Sequence, residues 1–584
     1  MNSRVKEKSV SKIAARICLA LGGIGLILTV IYVLLPDTVL LNLATRLALT
    51  IGDLERISFA GSERLHFELL KIIQKLKVVL LLVSGLFLVW GLLWKHLSAK
   101  AAGEVPVDVT ISAGSKILPG VSSPLLLGMI IVAALIRLVN FNQSLWYDEI
   151  YSVLNFIDKG NFLNTVTAYA YFNNHILNSI LARMAILVFG RAEWVFRLPA
   201  FIFGIISIGA MAKFSRLFGN KSIVWISTAL LVFSALHVDQ SQQSRGYTAL
   251  LLFSILSCYF FLQALRKSKY SFWWGFVITT VLGLYAHLYM LMVLLSQLAV
   301  VLLGAFVFKE NKNIDTPLVQ FETANRFFLF TTIAGVVVFL FYLPVVPFIF
   351  FELLRDYVPK NINFTFLLSV IKTLGSGELI GSIIYLILFF TGLVFIWQKE
   401  KKIALLTITM FVIPFCLNLI IRPRYLYPRF FMFALPVYMV LVASGINSLS
   451  QKLPNLRPCF VKVICTIFLI VINLPAVYTV LSIERQDYRA AAEFIREIVK
   501  KDKDVIVIAP GVAGREIKYY LRHIDVVKVS TVAEVKELQR RYDRQIFFVT
   551  YDWSFEKELQ DFIRDNANLQ TVYYSRIPVR IYEL

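Results

Sequence analysis

Long apolar runs are the feature that most limits what this chain can fold into. Runs of about 18–22 residues recur along most of its length, and a helix of about 20 apolar residues can cross the hydrocarbon core of a bilayer. Hydrophobic residues make up 58% of the 584 positions, whereas soluble domains contain roughly 45–50%. This pattern predicts an all-α polytopic membrane protein.

The positions of the runs predict about 13 transmembrane helices. The first run, 17–36, is too long for the apolar region of a signal peptide and lacks a cleavage motif, so we expect an uncleaved span. The expected spans are 17–36, 77–95, 122–140, 196–216, 222–238, 247–265, 272–286, 289–308, 327–348, 379–397, 403–421, 430–446 and 459–481.

Basic loops orient these spans. The net charge is +22, and because the last hundred residues are nearly balanced, the excess belongs to the membrane part. The positive-inside rule explains it without a nucleic-acid partner and places the N-terminus in the cytoplasm. The basic loops on that side are 216–221, 266–271, 309–313, 398–402 and 451–457. For all these loops to lie on one side, the number of membrane crossings between them must be even. The short apolar stretch 175–190 is therefore expected to lie along the interface or to be re-entrant.

The chain divides into three expected regions: an N-terminal extension with two spans (1–115), a transmembrane core (116–484) and a soluble domain (485–584). In the last region, alternating strand and helix patterns predict a small α/β domain with a largely parallel sheet. The strands are expected at 504–510, 545–550 and 569–575, and the helices at 487–501, 532–543 and 554–566. Parity places this domain outside the cell, and the expected location is a bacterial plasma membrane.

Two adjacent carboxylates, Asp148 and Glu149, stand in the outer-face stretch "LWYDEIYSV". At a helix N-terminus such a pair would simply complement the helix dipole. Alternatively, one of them is a base or a metal ligand at the membrane surface. Because neighbouring loop residues point in different directions, the facing carboxyl pair of a glycosidase is not expected. One carboxylate would do the chemistry, and the other would position or bind.

Arginines form the second candidate group. Arg422, Arg424 and Arg429 lie close together on the outer face, against the positive-inside bias, and Arg245 begins a span. Snorkelling beside tyrosines such as Tyr425 is one explanation. Anion recognition is the other, since a guanidinium matches phosphate oxygens in a bidentate way. Together with the outer-face carboxylate, these arginines suggest an amphiphilic phosphate substrate. The carboxylate would act as a base, and the arginines would bind the leaving phosphate.

Asn174 and His175 in "NNH", and His287 in "YAHLYM", are further polar residues of the outer face. A lone histidine is more often a hydrogen-bonded structural residue than a ligand, so both roles stay open. The five cysteines have neither CxxC nor Cys/His metal spacing and are interpreted as small core residues.

The ordered set of these segments resembles the GT-C superfamily of polyprenyl-phosphate-sugar-dependent glycosyltransferases. The similarity is to the family 39-like branch, which contains the protein O-mannosyltransferases and the lipid A aminoarabinose transferases. The matching pieces fall within residues 120–450 and read "LWYDEIYSV", "NNHILNSILARMAILVFGRAEWVFRLPAFIFGIISI", "QSRGYTALLL", "LYAHLYM" and "RYLYPRFFMFALPVYMVLVASGI".

The resemblance implies a polyprenyl-phosphate-linked sugar donor and transfer, with inversion, to a hydroxyl of a glycan, lipid or protein. It implies that Asp148 is the base, with Glu149 as its partner. The implied substrate and lipid-phosphate contacts are Asn174, His175, Arg245, Tyr247, His287, Arg424, Tyr425 and Arg429. The resemblance does not fix whether a divalent metal takes part.

The chain departs from the family pattern in two respects. Many members have a His-Pro-Pro-Leu motif where this chain has His175-Ile176-Leu177. The regions 1–115 and 487–584 lie outside the family core, and binding of the acceptor or of a partner is one role expected for them.

Two other functions fit a polytopic chain. A transporter or flippase of lipid-linked sugars should carry charges at mid-depth and paired broken helices, but the charges here gather at one face. A non-catalytic scaffold that presents the C-terminal domain leaves the ordered motifs unexplained. The sequence therefore favours an enzyme, a membrane glycosyltransferase.

Overall fold

The structure is a computed structural model. It describes residues 2–36, 39, 62–103, 124–168, 173–267, 269–311, 314–345, 362–423, 425–453, 456–501, 504–511, 514–551, 554–573 and 575–584. The helices before the C-terminal domain are Asn2–Leu34, Ser62–Gly103, Pro124–Leu138, Tyr147–Ser152, Phe162–Thr167, Ile176–Phe189, Glu193–Ser215, Lys221–Val232, Ala235–Ser241, Tyr247–Lys267, Tyr270–Ala286, Met290–Phe306, Phe321–Tyr342, Phe364–Leu374, Leu379–Lys399, Lys401–Ile421, Leu435–Lys452 and Pro458–Ser482. A small hairpin, β1 (Lys309–Asn311) and β2 (Ile314–Pro317), interrupts them.

The predicted all-α membrane architecture is confirmed. Within the described residues, nine helices are long and apolar enough to cross a membrane, and the bent pair Lys221–Val232 and Ala235–Ser241 makes a tenth. The three other predicted spans form apolar helices of 15 to 17 residues, Pro124–Leu138, Tyr270–Ala286 and Met290–Phe306.

The stretch predicted to lie along the interface forms the helix Ile176–Phe189, which has 14 residues. At 1.5 Å per residue it is about 21 Å long, shorter than a hydrocarbon core of about 30 Å. It is one residue shorter than the expected span Pro124–Leu138, and its place along the interface stays a prediction.

The centre of the bundle is the helix Leu435–Lys452, which is almost wholly buried. It packs so closely on Leu379–Lys399 that a Cβ at Gly392 or Gly445 would overlap the backbone of the facing helix. Small residues permit this kind of backbone approach between membrane helices.

The two N-terminal helices, Asn2–Leu34 and Ser62–Gly103, pack against each other and against Phe321–Tyr342. A buried polar contact fixes this arrangement, since Asn325 Oδ1 accepts from Trp94 Nε1 and from Ser98 Oγ, both at 2.8 Å. The expected boundary near residue 115 lies outside the described residues.

The C-terminal region is an α/β domain, as predicted. Its helices are Tyr488–Lys501, Gly514–Tyr520, Val532–Gln539 and Lys557–Asn566, and its strands are β3 (Val505–Ile508), β4 (Val526–Val527), β5 (Arg544–Val549), β6 (Asn568–Tyr573) and β7 (Val579–Glu583). The sheet order is β4-β3-β5-β7-β6.

The prediction of a largely parallel sheet is wrong. β3 pairs in parallel with β4 and β5, but β7 pairs antiparallel with β5 and β6. Only residues 574–578 connect β6 to β7, and a parallel crossover needs a dozen or more residues. The sequence patterns did not predict β7, and therefore did not predict the antiparallel edge of the sheet.

One face of the domain shares a hydrophobic core with the membrane part. Leu145, Ile150 and Val153 of the first loop pack in one cluster with Tyr488 and Ile517 of the domain. The domain therefore lies directly on the segment that carries Asp148 and Glu149.

Candidate active site

The short helix Tyr147–Ser152 carries both candidate carboxylates. Successive residues on a helix point about 100° apart, so the two side chains diverge. The side chain of Asp148 is 18% exposed, whereas that of Glu149 is fully buried. The structure thus gives the adjacent acids different surroundings.

Glu149 is paired with Arg197 in a buried bidentate contact. Arg197 Nε donates to Glu149 Oε1 at 2.9 Å, and Nη2 donates to Oε2 at 2.7 Å. Each carboxylate oxygen accepts a second bond from a backbone N–H: Ser244 at 2.6 Å for Oε1 and Trp146 at 3.4 Å for Oε2. A buried ion pair whose remaining lone pairs are also satisfied is the arrangement that offsets the cost of burying charge.

Arg197 extends this contact to the loop before the helix. Its guanidinium donates to three backbone carbonyls, those of Phe141, Gln143 and Ser144. Glu149 and Arg197 therefore join the first loop, the helix Glu193–Ser215 and the segment before Arg245.

Asp148 lies against two arginines from distant parts of the chain. Its Oδ2 is 3.2 Å from Arg429 Nη2 and 4.0 Å from Arg245 Nη2. Arg429 Nε also donates to the Tyr247 hydroxyl at 3.1 Å. Its guanidinium lies over three aromatic rings, those of Trp146, Tyr247 and Tyr427. The site therefore holds one partly accessible carboxylate beside two oriented cations.

Arg245 is fixed by polar groups of the first loop. Its Nη2 donates to Asn173 Oδ1 at 2.5 Å, and its Nη1 donates to Ser152 Oγ at 3.0 Å. These bonds hold the guanidinium at the mouth of the site.

Asn174, the predicted contact, points away from Arg245. Its Nδ2 donates to the carbonyls of Thr165 and Ala168, and its Oδ1 accepts from Ser179 Oγ. The structure therefore brings Asn173, not Asn174, to the site, a distinction between neighbours that the "NNH" motif does not reveal.

The predicted His175, Tyr247 and His287 form an aromatic layer below the arginines. The His175 ring lies 5.2 Å from that of Tyr247 and 4.9 Å from that of His287. Gly246 permits this packing, since a Cβ there would lie 2.6 Å from the Ala286 carbonyl oxygen and 2.9 Å from His175 Cβ.

Both histidines are neutral at pH 7. Burial, together with the charge of Arg245, lowers the pKa of His175 well below its usual value. Burial and the charges of Arg245 and Arg429 lower the pKa of His287 to about 3. These side chains can exchange hydrogen bonds with a ligand but do not offer it a positive charge.

The described part of the loop that follows the helix Lys401–Ile421 contributes one arginine to the site. Arg429 reaches Asp148, while Arg422 is exposed and ends the helix Lys401–Ile421 with φ 47°. Tyr425 is half-buried in the connecting segment. Arg424, a predicted phosphate contact, lies outside the described residues.

Residues of the C-terminal domain also reach the site. Arg485 lies 4.2 Å from the Trp146 ring centroid and pairs with Asp239 at 3.1 Å. Gln486 Oε1 accepts the backbone N–H of Tyr147 at 3.0 Å. No local pattern indicates these residues, but Arg197 was detectable as a charge inside a predicted span.

Several buried polar atoms around Asp148 have no hydrogen-bond partner within the described residues, and His175 Nε2 is an acceptor among them because Nδ1 donates to the Ala286 carbonyl. They are Trp146 Nε1, His175 Nε2 and Arg245 Nε. Buried polar groups are normally hydrogen-bonded, so these atoms suit a polar ligand.

The acidic groups of the site do not suit a divalent metal. Within the described ranges, no group of three or more His, Cys, Asp or Glu side chains could hold a metal ion. Glu149 is paired with Arg197, and Asp148 lies against Arg245 and Arg429. The charged groups of the site therefore favour binding of an anion over binding of a cation.

Comparison with known proteins gives one family match. Residues 176–331 match the model of a family described as dolichyl-phosphate-mannose-protein mannosyltransferase. The matched segment contains Arg245, Tyr247 and His287 and ends before Arg429. No curated protein matches the chain in sequence.

Solved structures give distant likenesses. ArnT from Cupriavidus metallidurans in the apo state is 11% identical, with a TM-score of 0.48 over 78% of this chain and 97% of that chain. The same protein bound to undecaprenyl phosphate is 12% identical, with a TM-score of 0.47 and the same coverage. The Archaeoglobus fulgidus oligosaccharyltransferase tethered with an acceptor peptide is 11% identical, with a TM-score of 0.40 over 73% of this chain and 69% of that chain.

The family match covers residues 176–331, which include Arg245, Tyr247 and His287 but neither Asp148 nor Arg429. Over these residues it agrees with the family resemblance of the motifs. Over residues 176–331 the chain is therefore similar to the dolichyl-phosphate-mannose-protein mannosyltransferases.

Proposed function

We propose that this protein transfers a sugar from a polyprenyl-phosphate donor to an acceptor hydroxyl on the outer membrane face, with inversion at the anomeric carbon. The observation that carries the proposal is the convergence of Asp148, Arg245 and Arg429, with separations of 3.2 and 4.0 Å. The description of the matched family, dolichyl-phosphate-mannose-protein mannosyltransferase, supports a lipid-phosphate sugar donor.

The proposed reaction is a single displacement. The acceptor hydroxyl oxygen forms a bond to the anomeric carbon as the bond from that carbon to the phosphate oxygen breaks. The electron pair leaves on the phosphate, and the hydroxyl proton passes to the carboxylate of Asp148, acting as general base. One displacement at one carbon inverts its configuration.

Arg245 and Arg429 are proposed to hold the donor phosphate. Negative charge grows on the leaving phosphate during the reaction, and preorganised cations stabilise that charge. Arg429 is oriented by the Tyr247 hydroxyl, and Arg245 by Asn173 and Ser152. Neither guanidinium needs to reorganise greatly when the phosphate binds.

Glu149 is proposed as a positioning residue. Its carboxylate is filled by Arg197 and two backbone N–H groups, one of which belongs to Ser244, next to Arg245. The residue therefore fixes Asp148 and Arg245 relative to each other and does not itself take the proton.

Gln486 of the C-terminal domain is proposed as a second positioning residue. It holds the Tyr147 N–H, directly before Asp148, and its Nε2 donates to Thr550 Oγ1 at 2.6 Å. The domain also binds the N–H groups of Leu145 and Ser144 through Tyr520 and Glu484.

The test uses purified full-length protein in lipid with a panel of radiolabelled polyprenyl-phosphate sugars. Transfer or slow hydrolysis of one donor, with inverted product, is the expected result. A folded protein that binds none of the donors would overturn the glycosyltransferase mechanism proposed here. Donor binding with movement across the bilayer but without turnover would favour a flippase.

A further inference from the structure

A basic cavity, separate from the site around Asp148, lies between the membrane part and the C-terminal domain. Its volume is about 560 Å³, within the usual range of small-ligand pockets of about 300–1,000 Å³. Its walls come from the start of the helix Glu193–Ser215, from Tyr488–Lys501 and from the end of Gly514–Tyr520 with the following loop. The lining residues that matter below are Arg191, Glu193, Arg496, Lys500, Tyr520 and Arg522.

The acidic groups at this cavity are already neutralised. Glu193 Oε1 is 2.8 Å from Arg489 Nη2 and accepts from the Tyr520 hydroxyl at 3.1 Å. Arg191, at the rim, is paired with Asp158 at 2.9 Å. These contacts leave little negative charge to balance the remaining cations.

Three other cations face the cavity without a carboxylate partner. Among the described residues, none places a carboxylate oxygen within 4.0 Å of Arg496, Lys500 or Arg522. Arg496 is held in place, since its Nη2 donates to the Tyr520 carbonyl at 2.8 Å, whereas Lys500 and Arg522 are exposed. The cavity therefore has an excess of positive charge with one cation fixed in advance.

The cavity continues toward an apolar surface. Arg191 also lines a smaller neighbouring depression, together with Ile186 and Leu187 of the helix Ile176–Phe189. Beyond it, Leu187, Val188 and Phe189 are 77%, 74% and 56% exposed. In a membrane protein an exposed apolar helix face of this kind contacts acyl chains.

We propose that this cavity binds the anionic headgroup of a membrane lipid, whose acyl chains lie along Leu187, Val188 and Phe189. Uncompensated basic groups beside an apolar face are the arrangement that recognises an anionic amphiphile. The lipid would join the membrane part to the C-terminal domain, because its headgroup contacts residues of both. This inference does not depend on the identity of the sugar donor or on the chemistry at Asp148.

The test measures lipid binding directly. Full-length protein in neutral detergent is titrated with dioctanoyl phosphatidylglycerol or dioctanoyl phosphatidylcholine, and bound lipid is counted by native mass spectrometry. The test variant is Lys500→Gln with Arg522→Gln, two exposed changes that spare Arg496. The control, Lys536→Gln with Arg540→Gln, removes two exposed charges elsewhere in the same domain.

The wild type and the control are expected to bind phosphatidylglycerol in preference to phosphatidylcholine. The test variant is expected to bind phosphatidylglycerol about thirtyfold more weakly, since each basic group near a membrane surface contributes about fivefold. Equal affinity in the test variant and the control would overturn the proposed site. Full displacement of the lipid by millimolar inorganic phosphate would show an anion site with no contribution from acyl chains, and would overturn the lipid assignment.

Discussion

At the residue scale, the neighbouring acids 148 and 149 have different roles because one helical step turns them to different surroundings. Glu149 is enclosed by Arg197 and backbone N–H groups, whereas Asp148 keeps an accessible carboxylate next to Arg245 and Arg429. An acid that must take up a proton needs access to its substrate, and an acid that positions others needs rigid partners. This difference leads to two predictions.

Replacement of Asp148 by Asn should abolish most turnover while the donor still binds. The amide keeps the shape of the side chain but cannot accept the proton, and general-base catalysis contributes roughly 10²–10⁴-fold. The measurement is kcat for sugar transfer together with donor affinity. Asp158→Asn is a matched control in the same loop, because among the described residues Asp158 forms an ion pair with exposed Arg191 alone. Equal turnover in both variants would show that a residue other than Asp148 is the base.

Replacement of Glu149 by Gln should destabilise the protein. Removing one partner of a buried ion pair leaves the other charge uncompensated and typically costs about 3–5 kcal/mol. The thermal midpoint in lipid should therefore fall sharply relative to wild type. Asp158→Asn, which breaks an exposed pair, should change it little. A Glu149→Gln protein with normal stability but a greatly reduced kcat would instead indicate that Glu149 is a catalytic residue.

At the element scale, the short helix Tyr147–Ser152 depends on side chains from outside its own segment. Even with the π-helical turn Val153–Ile157 that follows it, this segment is too short to form a stable helix alone, because nucleation is costly and few bonds repay it. Gln486 holds its first N–H, and Leu145, just before it, donates to the Tyr520 hydroxyl at 2.9 Å. The C-terminal domain therefore sets where the helix starts, and with it the direction of Asp148.

Gln486→Met should lower kcat about ten- to hundredfold with little change in donor KM, because small misplacement of a reacting group has effects of this size. Gln545→Met is the matched control. Gln545 is equally buried in the same domain, and within the described residues its side-chain amide has no hydrogen-bond partner. Gln486→Met should also lower the thermal midpoint, because the backbone N–H of Tyr147 loses its partner, so the kcat of both variants is compared at a temperature at which both are folded. Equal kcat values in Gln486→Met and Gln545→Met would show that Gln486 does not position Asp148.

At the scale of the whole molecule, the joint between the membrane part and the C-terminal domain contains a titratable group. Glu516 is 2% exposed, lies in the helix Gly514–Tyr520, and pairs with Arg515 at 3.7 Å. Burial raises the pKa of Glu516 to about 7, with Arg515 opposing the shift. The folded state therefore holds a proton that the unfolded chain releases near pH 4.5.

Stability should consequently fall as pH rises from about 4.5 to about 7, and the loss should be complete above the folded pKa. Glu516→Gln keeps the neutral shape and should remove this component. The expected result is a thermal midpoint that matches wild type at pH 4.5 but exceeds it at pH 8. If the thermal midpoints of wild type and Glu516→Gln change with pH in the same way between pH 4.5 and pH 8, Glu516 is not the group responsible.

The sequence by itself determined the class of the molecule. Apolar runs of membrane-spanning length must be helical in lipid, because backbone groups there have no water to bind. The same reasoning located the predicted spans and the motifs around Asp148, Arg245 and Arg429. These features are local in the chain, so local patterns reveal them.

Only the tertiary structure decided which candidates meet and what each contacts. Asp148 and Arg429 are separated by 281 positions, and Tyr147 and Gln486 by 339, so no local pattern records their contact. The same holds for the choice of Asn173 over Asn174 and for the pairing of Glu149 with Arg197. A side chain's role depends on which neighbours exclude water from it and share its hydrogen bonds, and that is fixed when distant segments pack together.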